Sequence, residues 1–245
     1  MRRMTMLAVT LLLLLVTAQS GLAHRPENGN PEGVTIIPDP TTSYAYYRQL
    51  SGSDTVHVYQ FEGQAGTFFH AGINIPQLDR LADYGVSLAL LGPGLPPLAP
   101  AKLPFQQISA RMGMPTLLPD WARTASQPTL SGIRVDSTPG EAFFEPFTQT
   151  RYWGRQELEL DLPQDGSYTL LIWHEGGQPG KYVLDTGTQE VFGPGDLLQF
   201  PLWWFNTRTY FEQGPFLTTI AAAITTLALA GLVSARRIHA TRRAK

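Results

Sequence analysis

His174-Glu175-Gly-Gly-Gln178 begins like the zinc-protease signature, in which two histidines one helical turn apart hold the ion and the intervening glutamate activates water. Gln178 stands where the second histidine is needed, and the segment closes a run of strand-like alternation, so that chemistry is excluded. His174 shares parity with Leu170 and Ile172, which predicts a hydrogen-bonded histidine at a sheet rim. His70 has the parity opposite to Phe69, Ala71, Ile73 and Ile75, which predicts a solvated surface position beside Asn74. His57, His70 and His174 would share a metal only if their strands were neighbours, a condition the sequence leaves open.

Two other places carry groups of the right type. His24 becomes the N-terminal residue if a leader is cut after Ala23, and its α-amine and imidazole would then offer two nitrogen ligands suited to copper. Against this stands a histidine that merely precedes a flexible Asn-, Gly- and Pro-containing stretch, residues 25–33. Glu141 and Glu145 lie in or beside the aromatic run 143–153, where apolar surroundings would raise a carboxyl pKa for glycoside hydrolysis. The same composition arises wherever a loop packs on a sandwich edge. The chain has no Gly-x-Ser-x-Gly elbow and no phosphate-binding loop, and with no cysteine it has no thiol nucleophile, zinc knuckle or disulfide. No catalytic residue and no cofactor is assigned.

The elements that must position these groups read mainly as strands. Residues 157–162, Glu-Leu-Glu-Leu-Asp-Leu, alternate strictly, as only a half-buried strand can use. Pro163 to Gly166 read as a turn, residues 167–173 as the return strand and 181–186 as a third, together an antiparallel meander. The N-terminal half repeats this grammar at 55–61, 67–75 and 84–91. Short runs punctuated by Gly and Pro predict an antiparallel β-sandwich or jelly roll over residues 55–191, with a Pro-rich loop excursion at 95–139 carrying eight prolines. Residues 24–54 read as an N-terminal segment, flexible at its start.

Two apolar segments bracket this domain. Residues 1–23 carry Arg2 and Arg3, a Leu-rich stretch too short to span a bilayer and a small residue at Ala23, the parts of a cleaved export signal. Residues 216–233 are 18 in number and uncharged, enough to cross, and predict a transmembrane helix over 216–235. The tail 236–245 holds Arg236, Arg237, Arg242, Arg243 and Lys245 without an acid, which predicts a cytoplasmic C-terminus. On the other flank Trp203, Trp204, Phe205, Tyr210 and Phe211 place rings where a headgroup belt would lie, in a juxtamembrane segment 192–215 that Pro194 and Pro201 should keep from extending the anchor helix. Without the leader and tail cations, 11 Lys and Arg face 20 Asp and Glu, a net charge of −9 that argues against nucleic acid.

Leu162-Pro-Gln-Asp-Gly-Ser-Tyr-Thr-Leu170, followed by Gly180-Lys-Tyr-Val-Leu184 and preceded by Tyr59-Gln-Phe-Glu-Gly-Gln-Ala-Gly66, resembles the bacterial pre-peptidase C-terminal family of extracellular β-sandwiches. The resemblance covers residues 55–91 and 155–186. It implies a non-catalytic accessory or adhesion-type module and supplies no catalytic residues. The sequence therefore predicts a single-pass extracytoplasmic module with a binding, adhesion or structural role. Its expected partners are the lipid bilayer and another envelope protein or a surface glycan. The alternative is a metal-handling or hydrolytic surface protein using His24 or Glu141 and Glu145.

Overall fold

A computed structural model describes residues 24–30, 33–52, 55–99, 102–104, 130–146, 148–214, 216–222, 225–226 and 231. The leader, the segment 105–129 and the five tail cations lie outside them. The chain divides into two units, Met1–Leu197 and Leu198–Lys245.

The first unit is mainly β. Its strands are β1 (Arg25–Glu27), β2 (Val34–Ile36), β3 (Tyr44–Leu50), β4 (Val56–Gly63), β5 (Phe68–Pro76), β6 (Ser87–Leu91), β7 (Pro97–Leu98), β8 (Leu130–Val135), β9 (Ala142–Glu145), β10 (Thr150–Asp161), β11 (Gly166–Trp173) and β12 (Gly180–Thr186). They form two six-stranded sheets, in the order β1-β3-β12-β5-β10-β9 and β2-β4-β11-β6-β8-β7. Phe69, Ala71, Ile73 and Ile75 of β5 and Leu158 and Leu162 of the β10 region are buried with Leu88, Leu90, Leu170 and Ile172 of the second sheet, so the alternation read from the sequence does mark the core-facing side.

The expected meander is corrected. β10 pairs with β5 and β9, β11 with β4 and β6, and β12 with β3 and β5, so consecutive strands alternate between sheets. β4, β5 and β6 alternate in the same way. The two crossings β4 to β5 and β10 to β11 lie side by side. Gly66 N–H donates to the Leu162 carbonyl at 2.8 Å, Leu162 N–H to Thr67 at 2.9 Å, and Ala65 N–H to the Asp165 carboxylate at 2.7 Å. Gly66, at φ 79°, and Gly166, at φ 143°, take backbone conformations there that side chains disfavour.

Three further segment readings change. Residues 24–54 supply β1, β2 and β3, with β1 parallel to β3 and β2 parallel to β4, so the sandwich starts well before residue 55 and is not wholly antiparallel. The excursion 95–139 contributes β7 and β8 to the second sheet. Leu98, Leu103 and Leu130 cover Val58, Ala89, Leu91, Leu171 and Trp173 there, making a smaller core on that sheet's outer face. The aromatic run after Glu141 is a hairpin, β9 and β10, rather than a loop.

In the second unit, a helix α1 (Pro194–Tyr210) begins just before the unit boundary and accommodates Pro201. The segment is thus helical in itself, and α1 stops at Tyr210, with residues 211–213 non-helical before the next helical stretch. Pro194 sits at the first helical position, where its missing N–H costs nothing. Residues 216–222, 225, 226 and 231 are also helical. Among the described residues no helix is long and apolar enough to cross a membrane, and half of the stretch 216–235 lies outside them.

Candidate functional site

The outer face of the first sheet, turned away from the core, gathers polar and aromatic side chains from all its long strands. Register explains which residues meet. Asp185 pairs with Gly72 of β5 and Ala45 of β3, and Val183 with Asn74 and Tyr47, so these residues share one side. β10 joins them through a bulge between Gly154 and Gln156. Before the bulge Tyr152 lies opposite Pro76, and after it Glu157 lies opposite Gly72, so residues of even and odd number reach the same face. β9 then places Phe143 beside Tyr152 and Glu145 beside Thr150.

These residues enclose a pocket of about 290 Å³ lined by His24, Tyr47, Asn74, Phe143, Phe144, Glu145, Tyr152, Val183 and Asp185. Phe143 stacks on Tyr152 with ring centroids 5.2 Å apart and planes 13° from parallel. Burial, reinforced by the Tyr47 hydroxyl, holds the Tyr152 hydroxyl well above the ordinary tyrosine pKa. Glu145 accepts hydrogen bonds from the backbone N–H and the hydroxyl of Thr148, which fixes it at the hairpin turn. Asp185 is buried, and Gly72 makes room for it: a Cβ at residue 72 would lie 2.4 Å from the Asp185 carboxylate.

Asp185 accepts from Asn74 Nδ2 at 2.5 Å and from His70 Nε2 at 2.9 Å, while His70 Nδ1 lies 3.1 Å from Glu159. Ionised carboxylates only accept, so with both ring nitrogens facing one, the protonated form of His70 is favoured. Its pKa is raised, first by the hydrogen bond to Asp185 and also by the charges of Asp185 and Glu159's hydrogen bond. His70 is thus on the outer face, as its parity indicates, but clamped between two carboxylates instead of solvated.

The pocket opens onto a broader depression of about 860 Å³ that shares His24, Asn74, Phe143 and Asp185 and adds His70, Glu141, Glu157 and Glu159. Glu141 and Glu145 therefore do not face each other across one pocket: Glu145 lines the pocket and Glu141 only the depression. His24 Nδ1 shares a hydrogen bond of 2.6 Å with Ser43 Oγ at the rim of both. The other two histidines lie elsewhere. His57 is buried between the sheets, 2.5 Å from the Tyr182 hydroxyl, which is in turn 3.0 Å from that of Tyr59. Burial, with the Arg48 charge, pushes its pKa down to about 3. His174 closes β11, stacks on Tyr84 at 5.1 Å and accepts the N–H groups of Gly176 and Gln178, as expected of a rim histidine. The three histidines do not converge, and among the described residues no group of three or more His, Cys, Asp or Glu is placed to hold a metal ion.

In the second unit the ring-bearing residues separate. Trp203 and Phe211 are buried, Trp204 and Tyr210 half-buried and Phe205 half-exposed. The Arg208 guanidinium lies 4.3 Å from the Trp204 ring and 4.6 Å from that of Phe216. Leu198, Leu202 and Phe205, at helical spacing, form an exposed apolar stripe on α1. Leu198 and Leu202 belong to the apolar juxtamembrane segment read from the sequence, but their alignment with Phe205 into one stripe follows only from the helix. The pocket was missed for a related reason, since Tyr47, Asn74, Tyr152 and Asp185 come from four strands with no shared motif.

No family model and no curated protein matches the chain. Among solved structures it is similar to the pre-peptidase C-terminal domain of collagenase from Bacillus anthracis, at 14% identity over 64% of this chain and 97% of that one, with a TM-score of 0.30. It is similar also to Aeromonas hydrophila PliG, a periplasmic lysozyme inhibitor of g-type lysozyme (12% identity, 68% and 100% covered, TM-score 0.32). A third is CorA, a surface-associated copper-binding protein of Methylomicrobium album BG8 (10%, 66% and 100%, 0.29).

Proposed function

We propose that this chain is a membrane-anchored extracytoplasmic binding module that takes its ligand on the outer face of the first sheet. The observation that carries the reading is the pocket: a concave site with the rings of Tyr47, Phe143, Phe144 and Tyr152 and a few convergent polar groups, built on strands and supported from behind by a packed core. Its partner is another envelope protein or a surface glycan, which the exposed, strand-borne rings of Phe143 and Phe144 suit better than a small enclosed metabolite. Anchoring is supported by the signal-like composition of residues 1–23, the uncharged stretch 216–233 and the cationic tail, and α1 adds the exposed stripe Leu198, Leu202 and Phe205, suited to seating in a headgroup layer.

Two measurements test the reading. A reporter fused after Lys245 should be active in the cytoplasm and one after Glu190 only outside; export of the Lys245 fusion rejects the anchor. For the site, Val183→Trp fills the pocket, so glycans or peptides of the envelope that raise the melting temperature of the full chain should no longer raise that of the variant. If every ligand that stabilises the parent stabilises the variant equally, binding occurs elsewhere.

A further inference from the structure

The ligand class follows from charge. We propose that the outer-face groove receives a basic side chain, arginine or lysine, presented by a partner polypeptide; this rests on the pocket being the binding site. The depression is lined by Asp136, Glu141, Glu157, Glu159 and Asp185 against Arg155 and His70, and with Asp136 set against Arg134 an excess of two negative charges remains even with His70 protonated. Arg155 is turned to the carbonyls of Tyr84 and Ala82, and Asp136 is taken by Arg134. Glu141 and Glu157 belong to no ion pair among the described residues.

The aromatic end supplies the second half of the recognition. Phe143, stacked on Tyr152, and the Tyr47 ring wall the pocket beside Glu145 and Asp185, an arrangement in which a cation meets ring faces and carboxylates together. The same hairpin already sets one cation against a ring, because the Arg151 guanidinium lies 5.6 Å from the Phe144 ring centroid. His70 reports the field on this face from within, being a histidine that keeps its proton more firmly than usual between Asp185 and Glu159. A neutral sugar would gain from the rings and could donate its hydroxyls to the carboxylates, but it would leave their negative charge uncompensated, so the basic polypeptide is the better match.

The test uses the full chain in detergent and three ligands: the peptide acetyl-Gly-Arg-Gly-Arg-Gly-amide, the same peptide with uncharged citrulline for arginine, and a neutral β-linked trisaccharide. The arginine peptide should bind, the citrulline peptide should bind at least about tenfold more weakly, and binding should weaken as salt screens the groove. The double variant Glu157→Gln, Glu159→Gln alters exposed carboxylates outside the core and should reduce affinity for the arginine peptide about tenfold; Phe143→Ala should do so independently. Equal binding of the two peptides, or an unchanged affinity in the double variant, overturns the basic-ligand assignment while leaving the pocket as the site. Binding of the trisaccharide alone, abolished by Phe143→Ala, has the same meaning. Arginine-peptide binding that neither Phe143→Ala nor Val183→Trp alters overturns both the assignment and the pocket.

Discussion

Two histidines on opposite sides of the sandwich wall show how differently its two environments treat the same side chain. His57, in the space between the sheets, meets the Tyr182 hydroxyl, and burial together with the Arg48 charge suppresses its own charge, so its pKa falls to about 3. His70, on the outer face of the first sheet, is also largely shielded from water, yet Asp185 and Glu159 make the charged form the stable one. The tyrosines divide likewise. Tyr59 and Tyr182 share hydroxyl hydrogen bonds in the core, while Tyr47 and Tyr152 wall a pocket. The inner space holds the fold and keeps His57 uncharged beside the buried Arg48, whereas the outer face sets its polar and aromatic groups around an open pocket.

The sharpest way to break that contrast is to damage the inner side. Leu170→Ala removes a fully buried leucine from the inter-sheet core and should cost about 2–5 kcal/mol in urea unfolding of the full chain. A loss below about 1 kcal/mol would mean that the inter-sheet space does not dominate stability.

Acid comes next. The unfolded chain takes up a proton at residue 57 near the ordinary histidine pKa, whereas the folded chain resists until about pH 3, so His57 stabilises the fold above pH 6.5 and this contribution is lost as pH falls towards 3. Between pH 6.5 and 4.5, before most carboxylates titrate, the parent should lose about 2–3 kcal/mol more than His57→Gln. His70 has the opposite sign: its raised pKa contributes stability that is complete below pH 6.5 and disappears as pH rises through the folded value. His70→Gln should therefore be most costly at acid pH and least at alkaline pH, and by less than the His57 effect because the Glu159 partner is half-exposed. Parallel pH profiles for the two variants would remove the distinction between the two environments.

The smallest effect belongs to the outer face. Phe143 is 42% exposed, so Phe143→Ala should lower stability by less than about 1 kcal/mol while enlarging the pocket. A loss as large as that of Leu170→Ala would make Phe143 part of the structural core.

Which residues face the core was largely legible in the sequence. Phe69, Ala71, Ile73 and Ile75 lie on one buried side, and Glu157 and Glu159 point away from Leu158, as alternation demanded. The turn at Gly166, the rim position of His174 and the mainly β class could be read in the same way. Less of the site could be. His24 and Glu145 were both singled out, for copper and for hydrolysis, and lie in the same pocket; but Tyr47, Asn74, Tyr152 and Asp185, which make that pocket, carried no motif. Carrying the alternation of residues 157–162 back along β10 would turn Tyr152 into the core, and only the bulge at Arg155 brings it to the outer face.

The physical reason is that side-chain alternation is a property of a single strand, and a strand's own residues suffice to declare it. Strand partners, the sheet a strand joins and the register of each pairing are properties of strands far apart in the chain. Glu157-Leu-Glu-Leu-Asp-Leu162 announces a half-buried strand by itself, but not that β10 would lie against β5 rather than β11. His70 shows the same division: its parity placed it outside, and the pairing of β5 with β12 and β10 decided that Asp185 and Glu159 would be waiting there.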